Sequence, residues 1–103
     1  MYNINYTKES LDDIQNILEY ITNVLLNKTA AKKLRNDFIN AIETLKIFPY
    51  GISIHYFENE LDNAYRCLNV NNYVVIYTID EEEKCIIINR ILYNKMNFNN
   101  IFK

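Results

Sequence analysis

The chain is poor in the residues that most often announce chemistry. Its 103 residues hold one glycine, one proline, one histidine, two cysteines and no tryptophan. A single glycine, Gly51, leaves no glycine-rich phosphate loop and no nucleophile elbow, which sets aside nucleotide and serine hydrolysis. With His55 alone, paired-histidine zinc chemistry is unavailable, and Cys67 and Cys85 have no further ligands at metal-like spacing. Both cysteines lie in strand-like stretches, where a free thiol behaves as a small apolar side chain. Also missing are an export signal and any apolar run near the roughly 18 residues of a membrane span. A cytoplasmic protein without membrane contact is the expectation.

What is abundant is apolar: 50% of residues are hydrophobic, enough for one domain, residues 1–103, to bury a core without disulfides or metals. Tyr2, Ile4 and Tyr6 alternate with Asn3 and Asn5, the period of a half-buried strand. Thr7 is placed to cap a helix, with Glu9, Asp12 and Asp13 at its positive end. Leu11, Ile14, Ile17, Leu18, Ile21, Val24 and Leu25 then recur at helical spacing, which predicts an amphipathic helix over about residues 8 to 26. After a break at Asn27-Lys28-Thr29, the positions Ala30, Ala31, Leu34, Phe38, Ala41, Ile42 and Leu45 mark a second helix, antiparallel to the first. Phe48-Pro49-Tyr50-Gly51 ends it.

The second half reads as strands. Ile52, Ile54 and Tyr56 alternate as an edge strand or ordered loop, followed by a polar acidic turn. Tyr65–Val70 and Tyr73–Tyr77 flank Asn71-Asn72, which suits a type I′ hairpin. Asp80-Glu81-Glu82-Glu83 makes the next turn, and Cys85–Tyr93 pairs back as a further strand. The fold class is therefore α+β: an N-terminal strand and a two-helix antiparallel hairpin packed on a small antiparallel sheet of three to four further strands.

Net charge is −2, the opposite of the balance usual in proteins that bind nucleic acid through phosphates. Acidic residues dominate from Glu58 to Glu83, whereas Lys84, Arg90, Lys95 and Lys103 follow with no acid among them. Two strands each give a position to arginine, Arg66 and Arg90. On the open face of a sheet a guanidinium can meet a partner; equally, each can pair with an acid such as Glu58 or Asp62, or mark a strand end. Tyr93 and Lys95 follow Arg90 closely and would form with it a basic, hydrogen-bonding cluster at the end of the last strand. The alternative is an aromatic closing the core and a solvated lysine. His55, a candidate base by residue type, lies in a loop-like region where a histidine is commonplace.

The order of these pieces resembles the RelE/ParE superfamily of bacterial type II toxins over nearly the whole chain. The resemblance rests on Leu18-Glu19-Tyr20-Ile21, Ala30-Ala31, Leu45-Lys46-Ile47-Phe48-Pro49, Tyr65-Arg66-Cys67-Leu68-Asn69-Val70, Tyr73-Val74-Val75-Ile76-Tyr77 and Arg90-Ile91-Leu92-Tyr93, in that order. It implies a growth-inhibiting, plasmid-stabilising type of toxin with no cofactor or metal, neutralised by a cognate antitoxin. Its target would be DNA gyrase, bound as ParE-like members do, or mRNA on the ribosome, cut as RelE-like members do. Under the nuclease alternative the resemblance makes Arg66, Arg90, Tyr93 and Lys95 the catalytic candidates. Relatives often carry a basic pair followed by aspartate where this chain reads Lys95-Met96-Asn97, so the charge pattern leans to the ParE-like branch. An inactive, antitoxin-binding remnant is a further alternative. The resemblance leaves the oligomeric state open.

Overall fold

The computed structural model describes residues 1–50, 54–56 and 64–94, with backbone alone at 54–56 and 64. Strand β1 (Asn3–Tyr6) leads into helix α1 (Lys8–Glu19), which continues as a π-helical turn through Val24. Helix α2 (Lys28–Glu43) ends in a 3-10 turn, Thr44–Lys46. Strands β2 (Ile54–Tyr56), β3 (Ala64–Val70), β4 (Tyr73–Asp80) and β5 (Cys85–Tyr93) follow. The five strands form one sheet in the order β1-β5-β4-β3-β2, with β1 parallel to β5 and all other pairs antiparallel. The parallel partners β1 and β5 are first and last in the chain, joined through the helical hairpin and then β2, β3 and β4, and the hairpin carries the chain from the β1 edge to the β2 edge.

Local chemistry sets the helix starts. Thr7 is extended (φ −71°, ψ 161°) and its Oγ1 accepts from the Ser10 N–H at 3.1 Å. The same hydroxyl donates to the Asn89 carbonyl at 2.9 Å, so the cap of α1 is also tied to β5. Asn27 caps α2 by accepting from the Ala30 N–H at 3.0 Å.

Both helices cover one face of the sheet. Leu34, Phe38, Ile42 and Leu45 pack there on Leu68, Val70, Val75, Tyr77, Ile86, Ile88 and Ile91, with Ile14, Ile17, Leu18 and Ile21 closing the side. Cys67, Val74, Ile76 and Leu92 are buried on the other face. Burial holds the Cys67 thiol up to about 11, so it stays an inert apolar group, and Cys67 and Cys85 are not bonded to each other.

Two expectations are corrected, and the last strand carries an irregularity that the sequence did not announce. Leu11, Val24 and Leu25 share the helical spacing of the core stripe yet are exposed; in the turn of Leu11 the buried residue is Ser10. The Asn71-Asn72 turn is not type I′: only Asn71 takes positive φ (54°), and the Asn72 carbonyl accepts from the Asn94 N–H at 3.0 Å. The last strand does not alternate throughout. Ile76 lies opposite Arg90 and Tyr77 opposite Ile88, which leaves Asn89 as an extra, bulged residue. The bulge reverses facing along β5, so Ile86 and Ile88 reach the helical core before it and Ile91 after it.

Candidate functional site

The bulge decides what the two arginines can do together. Arg66 lies opposite Tyr77 and alternates with Leu68 and Val70, which places it on the helix-covered face. Arg90 lies opposite Ile76, whose side chain belongs to the other face. Strict alternation from Ile86 and Ile88 would have put Arg90 on the same side as Arg66; one inserted residue gives it a register position of the opposite face, from which its guanidinium reaches Asp13 of α1.

Arg90 is engaged by Asp13 of α1. Its Nε donates to Asp13 Oδ2 at 2.8 Å and its Nη2 to Oδ1 at 3.0 Å, while the Ile91 N–H donates to Oδ2 at 3.0 Å. The side chains are 29% and 14% exposed. Because β1 pairs with β5 only as far as Ile88, the backbone edge beyond is open, and Asp13 closes it. The bidentate carboxylate holds the guanidinium pKa above its ordinary value. Asp13, grouped by sequence with the acids that favour a helix start, is thus a tether between α1 and β5.

Arg66 has different surroundings. Its guanidinium lies over the Tyr50 ring, 4.6 Å from the centroid. Tyr50 is placed there by the bend at the end of the helical hairpin. The hydroxyl of Tyr77, fully buried, donates to the Pro49 carbonyl at 2.9 Å and fixes that bend against β4. Glu81, in the turn after β4, gathers three donors: the Tyr50 hydroxyl, the Tyr2 hydroxyl at 2.7 Å and Lys84 Nζ at 3.0 Å. Lys84 also lies over the Tyr2 ring at 5.4 Å, and its positive φ of 51° folds the turn back. The result is a chain of contacts from Arg66 through Tyr50 and Glu81 to Tyr2 and Lys84.

Electrostatics make this group a poor proton shuttle at neutral pH. The hydrogen bond from Tyr50, then those from Tyr2 and Lys84, hold the Glu81 carboxyl down to about 2. The same bond to Glu81 pushes Tyr50 up to about 12, and burial pushes Tyr77 up to about 12. An efficient general acid or base has a pKa near the working pH, and these lie far from it on both sides.

The remaining candidates lie apart. Tyr93, 42% exposed, stacks edge-to-face on Tyr73 at 5.8 Å, and Tyr73 does the same on Phe38 at 5.7 Å. Tyr93 is opposite Tyr73 and Arg66 opposite Tyr77, so the two sites are roughly 13 Å apart along the strands and about 10 Å across them. The His55 backbone pairs with that of Tyr65. Lys95, the His55 side chain, and the acids Glu58 and Asp62 lie outside the described residues. Among the described residues, no three His, Cys, Asp or Glu side chains are arranged to hold a metal ion, and no helix is long and apolar enough to cross a membrane.

Sequence reasoning found Arg66 and Arg90 but missed Asp13, Tyr50, Tyr77 and Glu81 as their surroundings. The one legible signal was Tyr50, which directly follows the chain's only proline.

Comparison with known proteins fits this geometry. A family model described as the ParE toxin of the type II toxin–antitoxin system parDE matches residues 4–98. No curated protein sequence matches the chain. Among solved structures, a chain of the chromosomal ParDE system from P. aeruginosa superposes with a TM-score of 0.69 at 20% identity, over 90% of this chain and 96% of that one. A chain of the archaeal RelE–RelB complex from Pyrococcus horikoshii gives 0.61 at 16% identity, over 93% and 98%. The RelBE2 toxin–antitoxin complex from Mycobacterium tuberculosis gives 0.54 at 16% identity, over 89% and 96%. At such identities the structures establish the shared fold, and the family match extends over most of the sequence. The chain belongs to the ParE toxin family of type II toxin–antitoxin systems, within the RelE/ParE superfamily.

Proposed function

We propose that the protein arrests growth by binding a protein target, DNA gyrase, and that a cognate antitoxin holds it inactive in the cytoplasm. The observation that carries this reading is the separation of the cations. Arg90 lies two strands away from Arg66 and its guanidinium is bound to Asp13, and the groups around Arg66 titrate far from neutrality. Phosphodiester cleavage needs charge stabilisation and proton transfer converging on one phosphate; a binding surface has no such requirement. The net charge of −2 and the ParE family match point the same way. A supercoiling assay with purified gyrase tests it: inhibition or a trapped cleavage complex is expected, and full supercoiling activity at excess protein would overturn it.

One observation favours a second reading, an mRNA endonuclease on the ribosome. Arg66 is partly exposed and its guanidinium is held in place by Tyr50, as a group stabilising a phosphate would be. Arg66, Arg90, Tyr93 and Lys95 would then be the catalytic set, with no cofactor. Cleavage of mRNA on programmed ribosomes, lost in Arg66→Ala, would establish it; intact mRNA with wild-type protein would exclude it. Unimpaired growth on induction without antitoxin would instead identify an inactive remnant.

A further inference from the structure

The turn between the two helices works against the fold in two ways. Val24, Leu25 and Leu26 are 62%, 56% and 82% exposed, and Leu26 also holds a left-handed backbone, φ 53°, where glycine would sit without strain. Helix α2, moreover, has no acid in its first turn and opens on Lys28, with Lys32 and Lys33 next, at the end where the helix dipole disfavours cations. Helix α1 shows the ordinary arrangement, with Glu9, Asp12 and Asp13 near its start. Local rules broken without a gain in packing mark places where function sets the residue.

These residues are contiguous. From 20 to 36 the charged residues are Lys28, Lys32, Lys33 and Arg35, with no acid, on a chain whose net charge is −2. Lys33 is bridged to Asp37 at 2.9 Å. Lys28, Lys32 and Arg35 are exposed and have no carboxylate partner among the described residues. Their helical spacing sets them in one stripe along α2, about 10 Å long, that begins at the apolar turn. The turn itself is closed, since the Leu25 N–H donates to the Tyr20 carbonyl at 3.1 Å and the Asn27 N–H to the Ile21 carbonyl at 3.0 Å. Side chains on such a turn can leave water without stranding those backbone groups.

A second copy of the chain would set these cations against one another. Consecutive side chains leave a turn in different directions, and a fluid acyl layer accepts them all where one rigid groove does not. Anionic headgroups above that layer would meet the basic stripe, whose long side chains lay their stems on apolar surface and extend their charges to phosphate. We propose that the turn at 24–26 and the cations Lys28, Lys32 and Arg35 form a docking site for an anionic lipid surface, entered at its headgroup boundary and not crossed. Such contact needs no spanning helix, so it departs from the expectation of no membrane contact without requiring a transmembrane segment. It goes beyond the toxin reading and does not depend on which target the toxin has.

Co-sedimentation of the purified full chain with vesicles tests it, using phosphatidylcholine alone and an equimolar mixture with phosphatidylglycerol. Binding to the mixed vesicles only is expected, weakening as salt rises. Lys32→Gln should reduce the affinity about fivefold, the effect of one cation at an anionic surface. Leu26→Gly should reduce it about tenfold by removing a side chain from the acyl boundary. That variant should melt no lower than wild type, so lost binding is not lost folding; if it does melt lower, the exposed Lys32 variant decides alone. No binding to the mixed vesicles would overturn the proposal, as would equal binding to both kinds or affinity unchanged in both variants. So would an acidic peptide of Glu-Leu repeats that slows amide exchange in the turn while the mixed vesicles leave it unchanged, since the surface would then belong to a protein partner.

Discussion

Replacing Arg90 by methionine and Asp13 by alanine, singly and together, separates a tether from a functional cation. The carboxylate accepts two guanidinium hydrogen bonds and the Ile91 N–H, at 2.8, 3.0 and 3.0 Å. A fully buried hydrogen bond to a charged group is worth about 1.5–3 kcal/mol, and an exposed ion pair about 0–1 kcal/mol. With side chains 29% and 14% exposed the pair falls between, so the double-mutant interaction energy should be about 1–2 kcal/mol. Asp13→Ala should cost more than Arg90→Met, about 2–4 kcal/mol, since it also leaves the Ile91 N–H without its acceptor. Urea denaturation supplies the four free energies, and each kcal/mol should move the melting temperature by about 4 °C or more in a chain of this size. The reasoning is refuted if the coupling lies within about 0.3 kcal/mol of zero. It is equally refuted if Arg90→Met keeps full stability while growth inhibition is lost, since Arg90 would then be a contact residue.

Tyr77→Phe should destabilise by about 1–3 kcal/mol, because it leaves the Pro49 carbonyl without its buried donor; a change below about 0.3 kcal/mol on denaturation would show that the bend is held otherwise. Glu81 titrates at about 2 in the folded chain against an ordinary 4.5, so its contribution is complete above pH 4.5 and is lost as pH falls toward 2. The melting temperatures of wild type and Glu81→Gln should therefore converge over that interval, and parallel curves would sink the assignment. Tyr50 is shifted the other way, from 10 to about 12, so its contribution is complete below pH 10 and lost as pH rises toward 12; Tyr50→Phe should remove that alkaline dependence. Leu26, 82% exposed at φ 53°, pays for a left-handed backbone and gains no burial in return, so Leu26→Gly should stabilise by about 1 kcal/mol in denaturation, and a loss of stability would mean that its side chain contributes to the fold.

Local pattern carried much of the architecture. The caps at Thr7 and Asn27, the stop at Pro49 and the strand runs of the second half are short-range effects of hydrogen-bonding side chains, ring constraint and β-branched composition, so they can be read along the chain. Arg66 and Arg90 stood out for the same reason, as charges inside apolar runs. Periodicity failed where tertiary packing decides burial, as at Leu11 and Leu25, whose spacing matches the core stripe although both are exposed, with Ser10 the buried residue beside Leu11.

By itself, the sequence determined the α+β class, the element order and the two arginine positions, because each follows from interactions spanning a few residues. Only tertiary structure decided what those arginines face. The bulge at Asn89 gives Arg90 a register position of the face opposite Arg66, and Asp13 of α1 engages its guanidinium from 77 positions away in the chain. Tyr50 comes under Arg66 only because Tyr77 holds the Pro49 bend from a strand 28 positions on. A strand's facing reverses with one inserted residue, and residue spacing carries no record of which ladder position accommodates it.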